Sequence, residues 1–155
     1  MTARILVVDD DAAIRLVIGQ ALRREGYDVR LVANVAALDA ALREGVPDLL
    51  ITDVVLPDGN GIERAEALLA QHPHLPVIIL SALNTLSTAV KATAAGAYDY
   101  LPKPFDLAVL ARAVAGGLAR RSGQGGADRT INEVAASDGG LPLIGRSAAR
   151  QDVSR

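Results

Sequence analysis

The chain lacks cysteine altogether and has little that would suit it to a membrane or to nucleic acid. Without cysteine, disulfide bonds and thiolate metal sites are excluded. No apolar run approaches the roughly 20 residues that span a bilayer, and a strand pattern begins almost at residue 1, leaving no room for a signal peptide. A net charge of −2 provides no broad basic surface for binding phosphates. These absences predict a cytoplasmic protein that binds neither nucleic acid nor membrane directly.

Lysine is also scarce, because Lys91 and Lys103 are the only two among 16 basic residues. Lys91 falls in mid-helix and is predicted to be solvated. Lys103 lies between Pro102 and Pro104, a rigid setting for a side chain that is otherwise a flexible surface charge. Two nucleotide motifs are missing as well: there is no G-x-x-x-x-G-K-[ST], and no G-x-G-x-x-G follows the first strand. P-loop hydrolysis and dinucleotide binding are therefore excluded.

What is present is a regular alternation of short apolar runs and amphipathic stretches, in a chain half hydrophobic and long enough for one domain with a core. The predicted strands cover residues 4–9, 27–32, 48–53, 76–81 and 97–101. The predicted helices, with their capping residues, cover 11–25, 34–44, 62–71, 84–95 and 106–121. Residues 54–61, VVLPDGNG, are predicted to form a loop from their Pro, Asp, Gly and Asn content. Strict alternation predicts an α/β domain with a parallel sheet and helices on both faces.

The character of the sequence changes after residue 121. Residues 122–140 are rich in Gly, Ser, Asp and Ala without a periodic apolar face, which predicts a flexible linker. Residues 141–155 regain some apolar content but are too short to fold alone.

Polar residues stand at the carboxyl ends of the predicted strands, where open α/β sheets bind their ligands. Because parallel strands bring these ends to one edge, the residues are predicted to form a cluster. They are Asp9, Asp10, Asp11, Asp53, Ser81, Tyr100 and Lys103. By contrast, His72 and His74 precede the fourth strand and belong to the opposite edge, which argues against a metal or catalytic role.

The composition of this cluster predicts its chemistry. Several carboxylates around one point repel each other and need a cation, and oxygen ligands without His or Cys favour Mg²⁺. A hydroxyl and an ammonium at the same place favour an anionic guest such as a phosphoryl group. Simpler interpretations exist for single residues: Asp11 as the cap of the first helix, Ser81 as the cap of a turn, and Tyr100 as core packing with its hydroxyl at the surface.

As a set, the Asp-Asp pair, Asp53 with VVLPDGNG, Ser81 and YDYLPKPFD resemble the receiver domain of bacterial two-component response regulators, over residues 3–121. GAYDYLPKPFD and LPLIGRSAARQDV are similar to the NtrC-type, enhancer-binding branch that serves nitrogen regulation. In that branch a linker joins the receiver to an AAA+ ATPase and a DNA-binding helix-turn-helix. Residues 141–155 resemble only the opening of the ATPase, so the chain is expected to be a shortened form or a receiver-only gene product.

The resemblance implies a flavodoxin-like (βα)5 fold with sheet order 2-1-3-4-5, and a role for each residue of the cluster. Asp53 would be the nucleophile that accepts a phosphoryl group from a histidine kinase. Asp10 and Asp53 would hold Mg²⁺ or Mn²⁺, with Asp9 assisting and the backbone carbonyl of Val55 completing the protein ligands. Lys103 would contact the phosphoryl oxygens, and the Lys103–Pro104 peptide would be cis.

A conformational switch is implied as well. The Ser81 hydroxyl would move to the new phosphoryl group, and Tyr100 would turn inward behind it. Helix 84–95 and strand 97–101 would form the signalling surface, with homodimerisation on phosphorylation as an option. The apolar Val55 and Leu83, two residues past Asp53 and Ser81, predict a slowly self-hydrolysing phosphate.

The same residues are compatible with two other classes of function. A Mg²⁺-dependent phosphohydrolase usually has its aspartate nucleophile at the end of the first strand and a second acid two residues on, a spacing that Asp9 and Asp11 satisfy. A protein–protein interaction module that is never phosphorylated is the third possibility. In the leading interpretation the chain is a phosphoacceptor and not an enzyme that turns over a substrate.

Overall fold

A computed structural model describes residues 2–83 and 85–126, the last five as backbone only. Its five-stranded parallel sheet has the order β2-β1-β3-β6-β7, and a separate antiparallel hairpin is formed by β4 and β5. The strands are β1 Arg4–Val8, β2 Asp28–Val32, β3 Leu49–Asp53, β4 Val55–Leu56, β5 Gly59–Asn60, β6 Val77–Ser81 and β7 Asp99–Pro102. The helices are α1 Ala12–Arg24, α2 Val35–Glu44, α3 Gly61–Gln71, α4 Leu86–Ala94 and α5 Leu107–Gly126.

The predicted flavodoxin-like fold is confirmed, since the main-sheet order is 2-1-3-4-5 once the two short hairpin strands are set aside. The central strands are apolar on both faces because helices cover both sides of the sheet. Every residue of β3 and of β6 is buried. One core lies on each face: Leu50 and Ile79 belong to the first, and Ile51 and Ile78 to the second.

The helix starts follow ordinary capping chemistry. Asp11 accepts the backbone N–H groups of Ala13 and Ile14, which confirms its predicted role as the cap of α1. Asn34 caps α2 by accepting the N–H of Ala37 at 2.8 Å. The caps fix where each helix leaves the polar edge of the sheet.

Residues 54–61 correct one prediction, because this segment is not a plain loop. Val55 pairs with Asn60 and Leu56 with Gly59, which gives the hairpin β4–β5. Strands of two residues are too short to show an alternating pattern, so the turn-forming residues dominated the sequence prediction.

Several strand and helix boundaries lie one residue from the predicted ones, and the boundaries of α4, β7 and α5 differ for reasons that the structure shows. Helix α4 begins after Thr85, whose side chain accepts the N–H of Thr88; Asn84 itself lies outside the described residues. Strand β7 starts at Asp99 because the residues before it still close α4, with the N–H of Ala97 bound to the carbonyl of Ala92. Helix α5 extends to Gly126, five residues into the predicted linker, since each further helical residue needs only its own backbone hydrogen bond.

The remaining predictions for the C-terminal part, the linker over 127–140 and the fragment 141–155, lie outside the described residues. Among the helices that are described, none is long and apolar enough to cross a membrane.

Candidate functional site

The carboxyl ends of β1, β3, β6 and β7 place four polar residues at one edge of the sheet. Asp9 follows β1, Asp53 ends β3 and Ser81 ends β6, while Lys103 follows β7 and donates its backbone N–H to the carbonyl of Ser81 at 2.7 Å. Asp9, Asp53 and Ser81 are 0%, 7% and 0% exposed. A buried carboxylate needs a partner, so their position calls for an explanation beyond surface solvation.

Lys103 supplies that partner. Its Nζ donates to Asp9 Oδ2 at 2.8 Å and to Asp53 Oδ2 at 3.0 Å. The lysine side chain is itself only 13% exposed. Its peptide bond to Pro104 is cis. One ammonium group therefore bridges two buried carboxylates.

Burial governs the protonation of this group. Loss of solvent raises the pKa of Asp53 above its ordinary value, although the hydrogen bond from Lys103 opposes the rise. Burial alone would lower the pKa of Lys103, but its hydrogen bonds to Asp9 and Asp53 outweigh that effect and raise it. The lysine thus stays charged, while Asp53 is more basic than an exposed carboxylate.

Three carboxylates are placed to share a cation. Asp9, Asp10 and Asp53 each offer an oxygen, and these oxygens lie within 4.8 Å of one another. Asp10 is exposed, so it forms the open side of the group. An all-oxygen set with room for water suits a hard divalent cation such as Mg²⁺. A single ammonium against three acids leaves negative charge for that cation to balance.

The adjacent Asp11 takes no part in this group, because its carboxylate caps α1. The backbone N–H of Asp11 instead donates to Asp9 Oδ1 at 2.9 Å. Both oxygens of Asp9 are therefore engaged, one by this N–H and the other by Lys103.

The two residues predicted to switch are joined through Leu83. The Ser81 hydroxyl oxygen accepts the N–H of Leu83 at 2.8 Å, and the Tyr100 hydroxyl donates to the carbonyl of Leu83 at 2.8 Å. Ser81 thus caps the turn in this structure, and Tyr100 packs partly buried against the first core. A shift of the Ser81 hydroxyl would reach Tyr100 through one residue.

The segment after Asp53 is held close against it. Gly61 donates its N–H to the carbonyl of Val54 at 2.8 Å, and a Cβ at Gly61 would lie only 1.8 Å from the carbonyl oxygen of Asp53. Val55 and Leu83 are 58% and 46% exposed at the rim. These two positions, two residues past Asp53 and Ser81, are therefore apolar and open to solvent.

Two polar contacts of the segments that flank the pocket were not predicted from the sequence. Arg15 on α1 donates through a guanidinium nitrogen to the carbonyl of Asp9 at 2.7 Å, and Asp58 binds the start of α2. An arginine on an amphipathic helix carries no signal that separates it from a solvated one. Asp58 has a turn-residue signature, which conceals its contact with a distant helix. His72 lies at the end of α3, before β6, as predicted.

Comparison with known proteins agrees with this architecture. Residues 5–115 match the family model described as the response regulator receiver domain. The DNA-binding transcriptional regulator NtrC of Rhizobium meliloti (strain 1021) is 48% identical over 153 residues, covering 99% of this chain and 31% of that protein. NtrC of Escherichia coli (strain K12) is 43% identical over 101 residues, covering 65% of this chain and 22% of that protein. The chain thus spans less than a third of these relatives.

Solved structures show the same fold. A CheY-like response regulator receiver domain protein from Methanospirillum hungatei JF-1 superposes with a TM-score of 0.75 at 30% identity, over 79% of this chain and 98% of that one. NtrX from Brucella abortus in complex with ADP gives 0.73 at 33% identity, over 79% of this chain and 28% of that one. With its five-stranded parallel sheet and its lysine-bridged acid pocket, the chain belongs to the response regulator receiver domain family and is similar to the NtrC members of it.

Proposed function

We propose that the chain is a phosphoacceptor: Asp53 takes a phosphoryl group from the phosphohistidine of a sensor kinase, in a Mg²⁺-dependent reaction. The observation that carries the proposal is the Lys103 ammonium held between Asp9 and Asp53, at 2.8 and 3.0 Å, in a buried acid pocket at the ligand-binding edge of the sheet. A structural ion pair would need one carboxylate, whereas this pocket gathers three.

The pocket supplies each part of the reaction. A carboxylate oxygen of Asp53, made more basic by burial, attacks the phosphorus atom while the phosphorus–nitrogen bond of the donor breaks and the imidazole leaves. Lys103 is positioned to turn from the carboxylate to a phosphoryl oxygen. Asp10 and Asp53 would hold Mg²⁺, with Asp9 assisting and the carbonyl of Val55 completing the protein ligands. The cation would offset the charge on the phosphoryl oxygens. No turnover of a free substrate is part of this role.

The competing phosphohydrolase has less support. It needs Asp9 as nucleophile and Asp11 as the neighbouring acid. Asp9 is completely buried and has both oxygens engaged, and the carboxylate of Asp11 is occupied in capping α1.

Intact-mass measurement after incubation with acetyl phosphate and Mg²⁺ tests the proposal. We expect one added phosphoryl group on the wild type, and none on Asp53→Asn or without Mg²⁺. Asp28→Asn is the matched control, because Asp28 is exposed at the start of β2, on the opposite edge of the sheet. An adduct that survives Asp53→Asn, or none on any variant, would contradict the proposal.

Phosphorylation is proposed to act on helix α4 and strand β7. If the Ser81 hydroxyl turns to the phosphoryl group, it releases the N–H of Leu83, whose carbonyl holds Tyr100. Helix α4 offers a surface for such a signal, since Leu86 is 81% exposed and Val90 56%. Beryllofluoride, a phosphoryl mimic, should shift the amide resonances of residues 84–101. Unchanged resonances there would refute the switch.

The partners are proposed from the relatives, which are DNA-binding transcriptional regulators. A sensor histidine kinase would donate the phosphoryl group in the cytoplasm. An AAA+ and DNA-binding output module, in a longer protein or a partner, would read the α4–β7 surface and regulate transcription, with nitrogen metabolism as the field of action. Dimerisation on phosphorylation is the accompanying proposal.

A further inference from the structure

Asp58 lies at the turn of the β4–β5 hairpin, and its carboxylate binds the start of a different element. Its Oδ1 accepts the N–H of Val35 at 2.7 Å and its Oδ2 accepts the N–H of Ala36 at 3.0 Å. These N–H groups belong to the first turn of α2, where helices have no internal acceptor for them. The same two bonds hold the pKa of Asp58 below its usual range, so the contact is that of an ionised carboxylate on a helix N-terminus.

The hairpin is also packed closely between α2 and the acid pocket. A Cβ at Gly59 would lie 2.8 Å from Cγ2 of Val35, so the start of β5 packs directly against the first residue of α2. At the other end of the hairpin, the backbone of Gly61 is pressed against the carbonyl of Asp53. The hairpin therefore links the phosphoacceptor to the start of α2.

The start of α2 has a fixed relation to the second buried acid. Strand β2 ends at Val32, whose carbonyl accepts the N–H of Asp9 at 3.1 Å. The chain then turns at Asn34, which caps α2 by its own separate bond to Ala37. Asp58 thus closes a ring of contacts that runs from Asp9 through β2 and α2 to the hairpin and back to Asp53.

We propose that Asp58 is a positioning residue for the cation site: by fixing the hairpin on α2, it holds the main chain that follows Asp53 at the correct distance from Asp9. The inference rests on the proposed function, in which the carbonyl of Val55, the first residue of the hairpin, is a cation ligand. A hairpin of two-residue strands is not stable by itself, so its position depends on such ties.

Three variants test the inference by Mg²⁺ titration, followed through amide resonances. We expect Asp58→Ala to bind Mg²⁺ roughly tenfold more weakly, at the lower end of what outer-shell partners of a metal contribute. Asn34→Ala is the matched control, because it removes a cap of the same helix through a hydrogen bond that does not involve the hairpin. Asp58→Asn retains one acceptor oxygen and should fall between Asp58→Ala and the wild type.

The outcomes are distinguishable. If the wild type fails to bind Mg²⁺, the proposed function itself fails. If the wild type binds and Asp58→Ala weakens binding no more than Asn34→Ala does, the positioning role is overturned. With saturating Mg²⁺, Asp58→Ala should regain the wild-type rate of phosphorylation by acetyl phosphate. A rate that stays low there would indicate general structural damage and contradict the inference, and Asp58→Asn provides the same test if the alanine variant does not fold.

Discussion

Two ion pairs of this protein join a basic side chain to a carboxylate, but they shift the pKa of that carboxylate in opposite directions. Arg30 and Glu44 meet on the surface with side chains 52% and 66% exposed, and the hydrogen bond from Arg30 lowers the pKa of Glu44. Lys103 and Asp53 meet in the pocket with side chains 13% and 9% exposed, and burial raises the pKa of Asp53 despite its lysine. The first pair is exposed to solvent and contributes little to stability. The second pair keeps a carboxylate in an unfavourable place, which is typical of sites that carry chemistry.

Removing the basic side chain of each pair should give the largest difference in the stability of the fold. Lys103→Ala leaves Asp9 and Asp53 buried without their ammonium, and breaking a buried pair in this way costs about 3 kcal/mol. Arg30→Ala should leave the unfolding midpoint nearly unchanged, because exposed pairs contribute little. Urea unfolding of the metal-free protein is the measurement. Equal midpoints for the two variants would show that the pocket pair is as dispensable as the surface pair.

A methyl group added to the backbone at Gly61, beside the pocket, should destabilise the fold far more than one added at Gly19 in α1. Gly61→Ala would place Cβ 1.8 Å from the carbonyl oxygen of Asp53, and the resulting strain should cost at least about 2 kcal/mol. At Gly19 in α1 a Cβ would lie 3.0 Å from the end of the Leu31 side chain and at ordinary contact distance, 3.5 Å, from the end of Arg23. Both side chains can move, and alanine is the better helix former. Thermal unfolding of both variants measures the difference, and a mild effect at Gly61 would contradict the close packing.

Neutralising the carboxylates of the two pairs, Asp53 and Glu44, should change the stability of the fold in opposite directions. Asp53→Asn should stabilise the metal-free protein at neutral pH, since it removes a desolvated charge, whereas Glu44→Gln should weaken it slightly. The folded pKa of Asp53 lies above its unfolded value, so its ionisation destabilises the fold above the folded pKa. That penalty is relieved as the pH falls through the folded pKa toward the unfolded one.

Unfolding midpoints of the wild type and Asp53→Asn between neutral pH and pH 4 measure this effect, because other carboxylates cancel in the difference. The two midpoints should converge as the pH falls. Mg²⁺ should reverse the order at neutral pH by binding only the wild type tightly. A metal-free Asp53→Asn variant that is less stable than the wild type would contradict the role assigned to burial.

The smallest expected effect is on the lifetime of the phosphoryl group, through the exposed apolar residues Val55 and Leu83. Val55 and Leu83 provide no polar group to orient water, so the phosphoryl group on Asp53 should hydrolyse slowly, and Val55→Asn should shorten its lifetime. Val90→Asn, an equally exposed valine on α4, should leave the lifetime unchanged. Loss of the adduct mass over time measures the lifetime. A wild-type lifetime of only seconds would contradict the prediction.

Much of this architecture was predictable because its signals are local. The apolar runs of β1, β3 and β6, the cap at Asp11 and the cap at Asn34 each depend on a few adjacent residues. The hairpin β4–β5 was missed because strands of two residues have no periodicity. The start of α4 was misplaced because Asn84 and Thr85 are both good capping residues, and the sequence does not choose between them.

The candidate site was predictable in its members but not in its contacts. The rule that strand ends meet at one edge brought Asp9, Asp53 and Lys103 together. It could not show that Lys103 would bridge both acids, nor that Asp10 would be the exposed member of the group. The role of Asp58 was hidden for the same reason, because its partners lie 22 and 23 residues away along the chain.

The most direct test of the account is to locate the phosphoryl group within the chain. After reaction with acetyl phosphate and Mg²⁺, borohydride reduces an aspartyl phosphate to homoserine, which peptide mass spectrometry can place. We predict homoserine at position 53 alone, as expected for the buried acid that Lys103 shares with Asp9. Homoserine at position 9 would support the phosphohydrolase alternative, and modification spread over the exposed acids would contradict the account.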